Sequence, residues 1–334
     1  MTTGWLNTKT KPLLLLVILL ICALIALTNG KYSLTLEELY RLFIQSPVDN
    51  PRSSTVFWQI RFPRVFAAII IGGGLAIAGA AYQGMFRNPL VSPDILGVSA
   101  GAGVGAVLGI FLGQSLVSIQ LFAFIGGLIT VAVVYLIARL ARQHDPILSL
   151  VLVGVAISAM CGSAISLMKI LADPYTQLPS ITFWLLGGLS SITQQDLWSV
   201  LPVMMVGFIP LLMLRWRMNL LSLSDEEAKS LGVNVTLNRT ILIISATLIT
   251  ASTVSIAGII GWVGLIVPHI TRMIVGANFR YQLPAAMAIG AILLLITDTL
   301  ARTIAAIELP LGILTSAVGA PFFLAILLQT RRVK

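Results

Sequence analysis

Charged and aromatic residues are scarce in this chain, at 10% and 7% of its 334 residues. Soluble domains contain about 25% charged and about 45–50% apolar residues, whereas 57% of this chain is hydrophobic. This composition excludes a water-soluble globule. The long runs of Leu, Ile, Val and Ala also argue against an outer-membrane barrel, whose strands alternate apolar and polar residues. The sequence therefore predicts an all-α polytopic membrane protein.

Residues with catalytic or metal-binding chemistry are also few. Two cysteines and two histidines are too few for a disulfide framework, a thiolate metal site or a multi-histidine metal or haem site. The phosphate-binding pattern G-x-x-x-x-G-K-[ST] is absent, because Ile25 stands where the pair Gly30-Lys31 would need its first glycine. We therefore expect no enzyme, no nucleotide hydrolysis by this chain, and no bound metal or cofactor.

The apolar segments predict about ten transmembrane helices with both termini in the cytoplasm. The hydrophobic residues number roughly 190, which suffices for nine or ten spans of about 20 residues each. The predicted spans are residues 13–28, 64–84, 92–112, 119–139, 147–168, 196–215, 239–258, a broken span near 262–275, 282–300 and 311–330. A cleaved signal peptide is the alternative for the first segment. The formal charge of +9 does not indicate nucleic-acid binding. It is explained by basic residues that orient the loops, because 14 of the 21 Lys and Arg residues fall on the predicted cytoplasmic side.

Charges inside the spans would indicate an ion relay, because each is costly at membrane depth. The spans contain almost none. Asp298 is followed four residues later by Arg302, which is the spacing of an ion pair on a helix surface. A proton-coupled secondary carrier would need ionisable groups across the bilayer and is therefore disfavoured.

Small residues recur at every fourth position in several spans, as at Gly72, Ala76, Ala80 and Gly84. Such a stripe allows helix backbones to approach closely. A face lined by Gly and Ser is also suited to a wide pathway for a bulky solute. Spacing alone leaves both interpretations open, and close packing is favoured.

A short helix is predicted in the cytoplasmic loop 216–238. Ser224 can cap its N-terminus with Glu227 completing a capping box, and Gly232 ends it. A helix of about eight residues is marginal alone in water. It should therefore rest on its own membrane domain or on a cytoplasmic partner, with a plain connecting turn as the alternative.

Several motifs together resemble one family. These are Arg61-Phe-Pro-Arg64, residues 83–97 (QGMFRNPLVSPDILG), residues 227–232 (EAKSLG), residues 264–272 (GLIVPHITR), residues 308–312 (ELPLG) and residues 319–322 (GAPF). They occur in the family's order from about residue 55 to the C-terminus. The chain resembles the FecCD/BtuC-type permeases of binding-protein-dependent ABC importers for iron siderophores, haem and vitamin B12.

The resemblance implies a single transmembrane permease domain over residues 1–334, with an external segment at 31–63. It implies a multi-pass protein of the bacterial cytoplasmic membrane that pairs with a second permease, either an identical copy or a sister chain. A cytoplasmic ABC ATPase dimer would use ATP and Mg, and a periplasmic or lipid-anchored binding protein would deliver a metal chelate. An oxyanion such as molybdate is the alternative cargo within the family.

The resemblance also assigns roles to residues on the outer side. Arg61, Arg64 and Arg302 match arginines that meet acidic residues of the binding protein, where charge pairs mainly set encounter rate and register. The alternatives are contact with lipid headgroups or, for Arg302, pairing with Asp298.

On the cytoplasmic side, the short helix resembles the family's coupling helix, which is seated in a cleft of the ATPase. The residues assigned to this contact are Asp225, Glu226, Glu227, Ala228 and Gly232. Ala228 and Gly232 would permit close approach, and Glu226 and Glu227 could meet basic groups. The resemblance places Asn88 and Leu90 at an inner gate, and a looser match places His144 at a second gate.

Overall fold

The computed structural model describes residues 10–44, 51–141 and 146–330, and every regular element in these ranges is a helix. A π-helical turn (Val56–Arg61) precedes the fourth α-helix, and a 3-10 turn (Pro93–Leu96) precedes the fifth. The α-helices are α1 (Thr10–Thr28), α2 (Leu36–Phe43), α3 (Pro51–Thr55), α4 (Phe62–Met85), α5 (Val98–Phe111), α6 (Leu116–Leu140), α7 (Pro146–Leu171), α8 (Gln177–Leu186), α9 (Gln194–Leu214), α10 (Arg217–Leu221), α11 (Asp225–Ser230), α12 (Val235–Ala257), α13 (Val263–Val275), α14 (Phe279–Thr303) and α15 (Leu311–Thr330).

The predicted all-α membrane fold is confirmed. Within the described ranges, seven helical stretches are long and apolar enough to cross a membrane. Three shorter apolar helices, α5, α13 and α15, occupy the other predicted spans. The location of both termini stays a prediction, and the terms cytoplasmic and outer below follow the orientation that the Lys and Arg distribution predicts.

The second predicted span begins earlier than expected. Helical structure runs without a break from Pro51 to Met85 over 35 residues, which corresponds to about 52 Å at 1.5 Å per residue. This exceeds the hydrocarbon thickness of about 30 Å. The end of the segment predicted as external, residues 51–63, is therefore helical and continuous with the span.

The third predicted span, residues 92–112, is shorter than expected. Pro93 begins a 3-10 turn, and Gly97 has φ +77° before α5 starts at Val98. Glycine adopts this left-handed conformation without steric cost. The helix that follows has 14 residues, or about 21 Å, so this part of the chain enters the membrane domain as a turn followed by a short helix.

Helix α8 was not predicted. Its ten residues are too few for a span, so the hydropathy pattern hides it. Its sequence signal is the spacing of Leu178, Ile181 and Leu185, which share one face at i, i+3 and i+7. Ile181 is buried, and all three pack in a cluster with Val107 of α5.

Helix α4 lies at the centre of the bundle and packs against α12, α13 and α14. A Cβ at Gly72 would lie 2.3 Å from the carbonyl oxygen of Gly290, and one at Gly79 would lie 1.9 Å from that of Gly264. Glycine therefore sets these interhelical distances. Small residues also recur at every fourth position on α7, but they are only partly packed. A Cβ at Gly162 would meet no atom within 4 Å.

Non-helical backbone meets in the interior where α8 and α12 end and α15 begins. Gly188 N–H donates to Ala257 O at 2.8 Å, and Leu311 N–H donates to Gly187 O at 2.9 Å. Non-helical backbone at membrane depth needs such partners or must line a cavity. Gly258 turns the chain there with φ +66°.

Replacing Gly258 by Ala is expected to lower stability. The new Cβ would lie 2.2 Å from Trp184 O, and the backbone angles of φ +66° and ψ −162° lie in a region that essentially only glycine adopts, which costs another residue about 1–3 kcal/mol. We expect a lower apparent melting temperature in detergent. Gly162→Ala is the matched control, since its Cβ meets open space and Ala is favoured in a helix. Equal melting temperatures for the two variants would contradict this account.

Candidate functional site

The short helix α11 forms as predicted in the cytoplasmic loop. Ser224 Oγ accepts from Glu227 N–H at 3.2 Å, and Ser224 N–H donates to Glu227 Oε2 at 2.9 Å. This is the predicted capping box. The helix ends at Ser230, and Gly232 has φ +79° as the chain leaves it. The plain connecting turn is therefore excluded.

One face of α11 rests on the membrane domain. Ala228 is only 1% exposed and belongs to the main apolar core. This corrects the expectation that Ala228 permits close approach of a partner. Glu226, Glu227 and Lys229 are exposed instead and form the free side of the helix, and Gly232, just beyond its end, is also exposed.

Asp225 binds two arginines at the start of α11. Arg239 donates from Nη1 to Asp225 Oδ2 and from Nη2 to Asp225 Oδ1, both at 2.7 Å. Arg87 donates from Nη2 to Asp225 Oδ1 at 2.9 Å and from Nη1 to Leu223 O at 2.9 Å. We call Arg87, Asp225 and Arg239 the cytoplasmic ion cluster. It connects α11 both to α12 and to the loop that follows α4.

The pKa of the Asp225 carboxyl is held below its ordinary value, mainly by the hydrogen bonds from Arg239. A carboxyl with a lowered pKa contributes stability above its unfolded pKa, and this contribution is lost as the pH falls through the folded pKa. Because the unfolded pKa of Asp is about 3.9 and the folded pKa is lower, the Asp225 carboxyl stays ionised above about pH 5.

The loop after α4, residues 86–92, contains the predicted inner gate, and we call it the gate loop. Asn88 Oδ1 accepts from Leu90 N–H at 2.9 Å, which makes a local turn. Both residues are exposed. Arg87 has φ +51°, an uncommon conformation for a residue other than glycine. His144, the second-gate residue, lies outside the described residues.

Three buried arginines on the outer side lie close to the buried carboxylate of Asp298 and the exposed carboxylate of Glu308. The outer arginine cluster consists of Arg61, Arg64, Arg302, Asp298 and Glu308. Arg64 donates from Nε to Asp298 Oδ1 and from Nη1 to Glu308 Oε2, both at 2.8 Å. Arg302 Nε lies 3.2 Å from Asp298 Oδ2. The cluster therefore joins α4 and α14 to the segment before α15.

Two of these arginines also bind the C-terminal end of α1. The last four carbonyl oxygens of a helix lack intrahelical partners, and positive charge is favourable there. The acceptors are the carbonyl oxygens of Leu27, Thr28 and Tyr32 for Arg61, and those of Ala26 and Asn29 for Arg302. The outer arginine cluster thus fixes α1 against the bundle.

Burial corrects the expectation that these arginines face outward. Arg61, Arg64 and Arg302 are 4%, 5% and 7% exposed. The pairing of Arg302 with Asp298, which was one alternative, is confirmed. Docking of a binding protein by these arginines stays a prediction.

A cavity of about 590 Å³ opens beside the outer arginine cluster. Arg64 and Glu308 line its wall, together with residues 187–191 and 255–258. Among the described residues, this ion pair provides the only charges of the lining. An acidic group from outside could reach Arg64 through this cavity.

Sequence reasoning missed three residues of these sites, namely Arg87, Arg239 and Glu308. Arg87 and Asp225 are 138 positions apart, and Arg64 and Glu308 are 244 positions apart. A single sequence carries no signal for such pairs. Only the position of Arg87 beside the predicted gate indicated where to look.

Comparison with known proteins gives one family. The model of the FecCD transport family matches residues 17–329. The chain is 38% identical over 322 residues to the molybdate import system permease protein MolB of Haemophilus influenzae, covering 95% of each chain. It is 37% identical to the hemin transport system permease protein HmuU of Yersinia pestis, covering 97% of this chain and 98% of that one.

A solved structure shares the whole architecture. It is described as an inward-facing conformation of a transporter assigned to the metal-chelate ABC type. The two chains are 38% identical, and the TM-score is 0.86 with 96% of this chain and 99% of the other covered. The arrangement of helices described above is therefore that of an ABC permease.

Proposed function

Since the chain belongs to the FecCD transport family and is a permease subunit of an ABC importer, we propose that it moves a metal chelate of the iron-siderophore, haem or cobalamin type across the cytoplasmic membrane. The chain is a multi-pass protein of the bacterial inner membrane, and a separate subunit hydrolyses ATP. The proton-coupled carrier is therefore dropped. The similarity to the metal-chelate structure supports this choice of cargo.

Molybdate is the second candidate cargo. The observation that favours it is the 38% identity to the molybdate permease over 95% of both chains. The outer cavity does not choose between the two, because its only charges are the paired Arg64 and Glu308.

We propose that α11 couples the ATPase to the inner gate. The exposed residues Glu226 and Lys229, together with Gly232 just beyond the end of α11, would contact the ATPase. Asp225 would transmit the movement. The bonded path from Asp225 to Arg87 supports this, because it connects α11 to the gate loop by a 2.9 Å hydrogen bond. A movement of α11 would then displace Asn88 and Leu90 and switch the permease between two packings.

On the outer side we propose that a binding protein docks above the outer arginine cluster. The buried arginines hold α1 and the segment before α15 in place, and Arg64 lines the outer cavity. Acidic groups of the partner would therefore reach Arg64 at its mouth, where charge complementarity sets register.

Transport in liposomes tests the proposed cargo. The chain would be reconstituted with its co-purifying ATPase and binding protein and supplied with ferric siderophore, haemin, cobalamin or molybdate. We expect uptake of one chelate, and this uptake should require ATP on the cytoplasmic side of the membrane. Uptake of molybdate alone would establish the second candidate, and the absence of ATP-dependent uptake for all four would contradict the proposal.

A further inference from the structure

A second cavity lies at the cytoplasmic ends of α1 and α14, and no residue of the gate loop lines it. Its volume is about 550 Å³. Lys11 of α1, Arg280 of α14 and Arg215, in the turn between α9 and α10, line it. The other lining residues are Pro12, Leu15, Leu16, Leu19, Val275, Tyr281, Pro284, Ala285 and Ala288. The cavity therefore has a strongly basic part and an aliphatic part.

The basic part has no neutralising carboxylate among the residues that the structure describes. None of the described Asp or Glu residues lines the cavity, and Arg215 and Arg280 form no salt bridge with any of them. Lys11 Nζ donates to Ile274 O at 2.8 Å, which leaves its other N–H groups available. Three positively charged side chains that line one cavity without a carboxylate from the described residues favour an anionic ligand.

The aliphatic part opens toward the bilayer. Helix α1 is peripheral, and Leu16 on its cavity side is half exposed. Pro284 of α14 is also exposed. An occupant can therefore enter sideways from the membrane, with an apolar portion against Leu15, Leu19 and Ala285.

We propose that this cavity binds an anionic phospholipid of the cytoplasmic leaflet. The phosphate lies among Lys11, Arg215 and Arg280, and an acyl chain follows the groove between α1 and α14. Basic pockets between transmembrane helices on the cytoplasmic side bind anionic headgroups in this way. The aliphatic wall is what distinguishes a lipid from a soluble phosphate. The bound lipid would bridge α1 to α14, at the opposite end of α1 from the outer arginine cluster.

Native mass spectrometry tests the site on the purified, full-length chain. The probes are phosphatidylglycerol, which is anionic, and phosphatidylcholine with the same acyl chains, which is zwitterionic. We expect selective retention of phosphatidylglycerol. In K11Q/R215Q/R280Q, its apparent affinity should fall about a hundredfold, since each basic residue near the surface contributes about a fivefold factor.

Two further variants make the result specific. R139Q/R217Q/K229Q removes the same charge from cytoplasmic residues that do not line the cavity, and it should retain phosphatidylglycerol. Ala288→Phe fills the aliphatic part while keeping all three charges, and it should also lose the lipid.

Three results would overturn the proposal. The first is equal retention of phosphatidylglycerol and phosphatidylcholine, and the second is equal loss of phosphatidylglycerol from both triple variants. The third is retention of inorganic phosphate, supplied alone, to the same extent as phosphatidylglycerol. The last result would show a soluble-anion site. Because no transport is measured, failure here leaves the proposed import function standing.

Discussion

Asp225→Asn is expected to separate ATP hydrolysis from transport. The variant removes the charge that holds Arg87 and Arg239 together, so movement of α11 would no longer displace the gate loop. Coupling free energies between sites typically correspond to about 5- to 150-fold effects. We expect substrate uptake per ATP hydrolysed to fall at least about tenfold while the ATPase remains bound. The measurement is parallel uptake and phosphate release in liposomes.

Glu226→Gln is the matched control for this prediction. Both carboxylates lie in the first turn of α11 and interact with the helix dipole, but only Asp225 joins the cytoplasmic ion cluster. Because Glu226 is assigned to the ATPase contact, Glu226→Gln is expected to bind less ATPase, but its uptake per ATP hydrolysed should stay near wild type. Arg87→Gln should reproduce Asp225→Asn, and the double variant should be no worse than either alone. Normal coupling in Asp225→Asn would show that the ion cluster is only structural.

The second large effect is expected at the outer arginine cluster. Asp298→Asn leaves Arg64 and Arg302 without their shared buried counter-ion, because Asp298 is 1% exposed. Removing one partner of a buried ion pair costs about 3–5 kcal/mol. We expect little folded permease in the membrane, measured as the monodisperse fraction on size-exclusion chromatography.

Glu37→Gln is the control on the same side of the membrane. Glu37 is exposed and pairs with Arg41 one turn away along α2, and such surface pairs contribute about 0.3–0.5 kcal/mol. Its folded yield should match wild type. If Asp298→Asn folds as well as Glu37→Gln and loses only stimulation by the binding protein, then the cluster acts in docking rather than in holding α1.

Local sequence signals predicted much of this fold. The ends of α11 followed from Ser224, Glu227 and Gly232, because capping involves residues within one turn of each other. The long apolar spans followed from composition. Helix α8 was not predicted, because ten residues are too few to give a transmembrane signal. The start of the long helical stretch at Pro51 was not predicted, because a helix can continue beyond the bilayer.

The sequence predicted where the candidate sites lie along the chain, but not which residues contact each other within them. The resemblance located the gate loop and α11, yet the bond between them depends on Arg87 and Asp225, which are distant in sequence. The outer arginines were expected to face outward, because a sequence shows their charge and side but not the carbonyl oxygens at the end of α1. Ala228 was assigned to a partner contact, whereas the fold buries it.

In the proposed function, α11 of this permease receives its movement from a separate ATPase. The most direct measurement is the ratio of ATPase to permease after affinity purification from native membranes in mild detergent. We predict a stoichiometric ATPase with the wild-type chain and with Arg139→Glu, and its loss with Glu226→Arg/Lys229→Glu on the exposed face of α11. One or two permease species in the same sample would distinguish a homodimer from a pair of sister chains. Recovery of the wild-type chain without any ATPase in several detergents, or full retention by the α11 variant, would contradict the account.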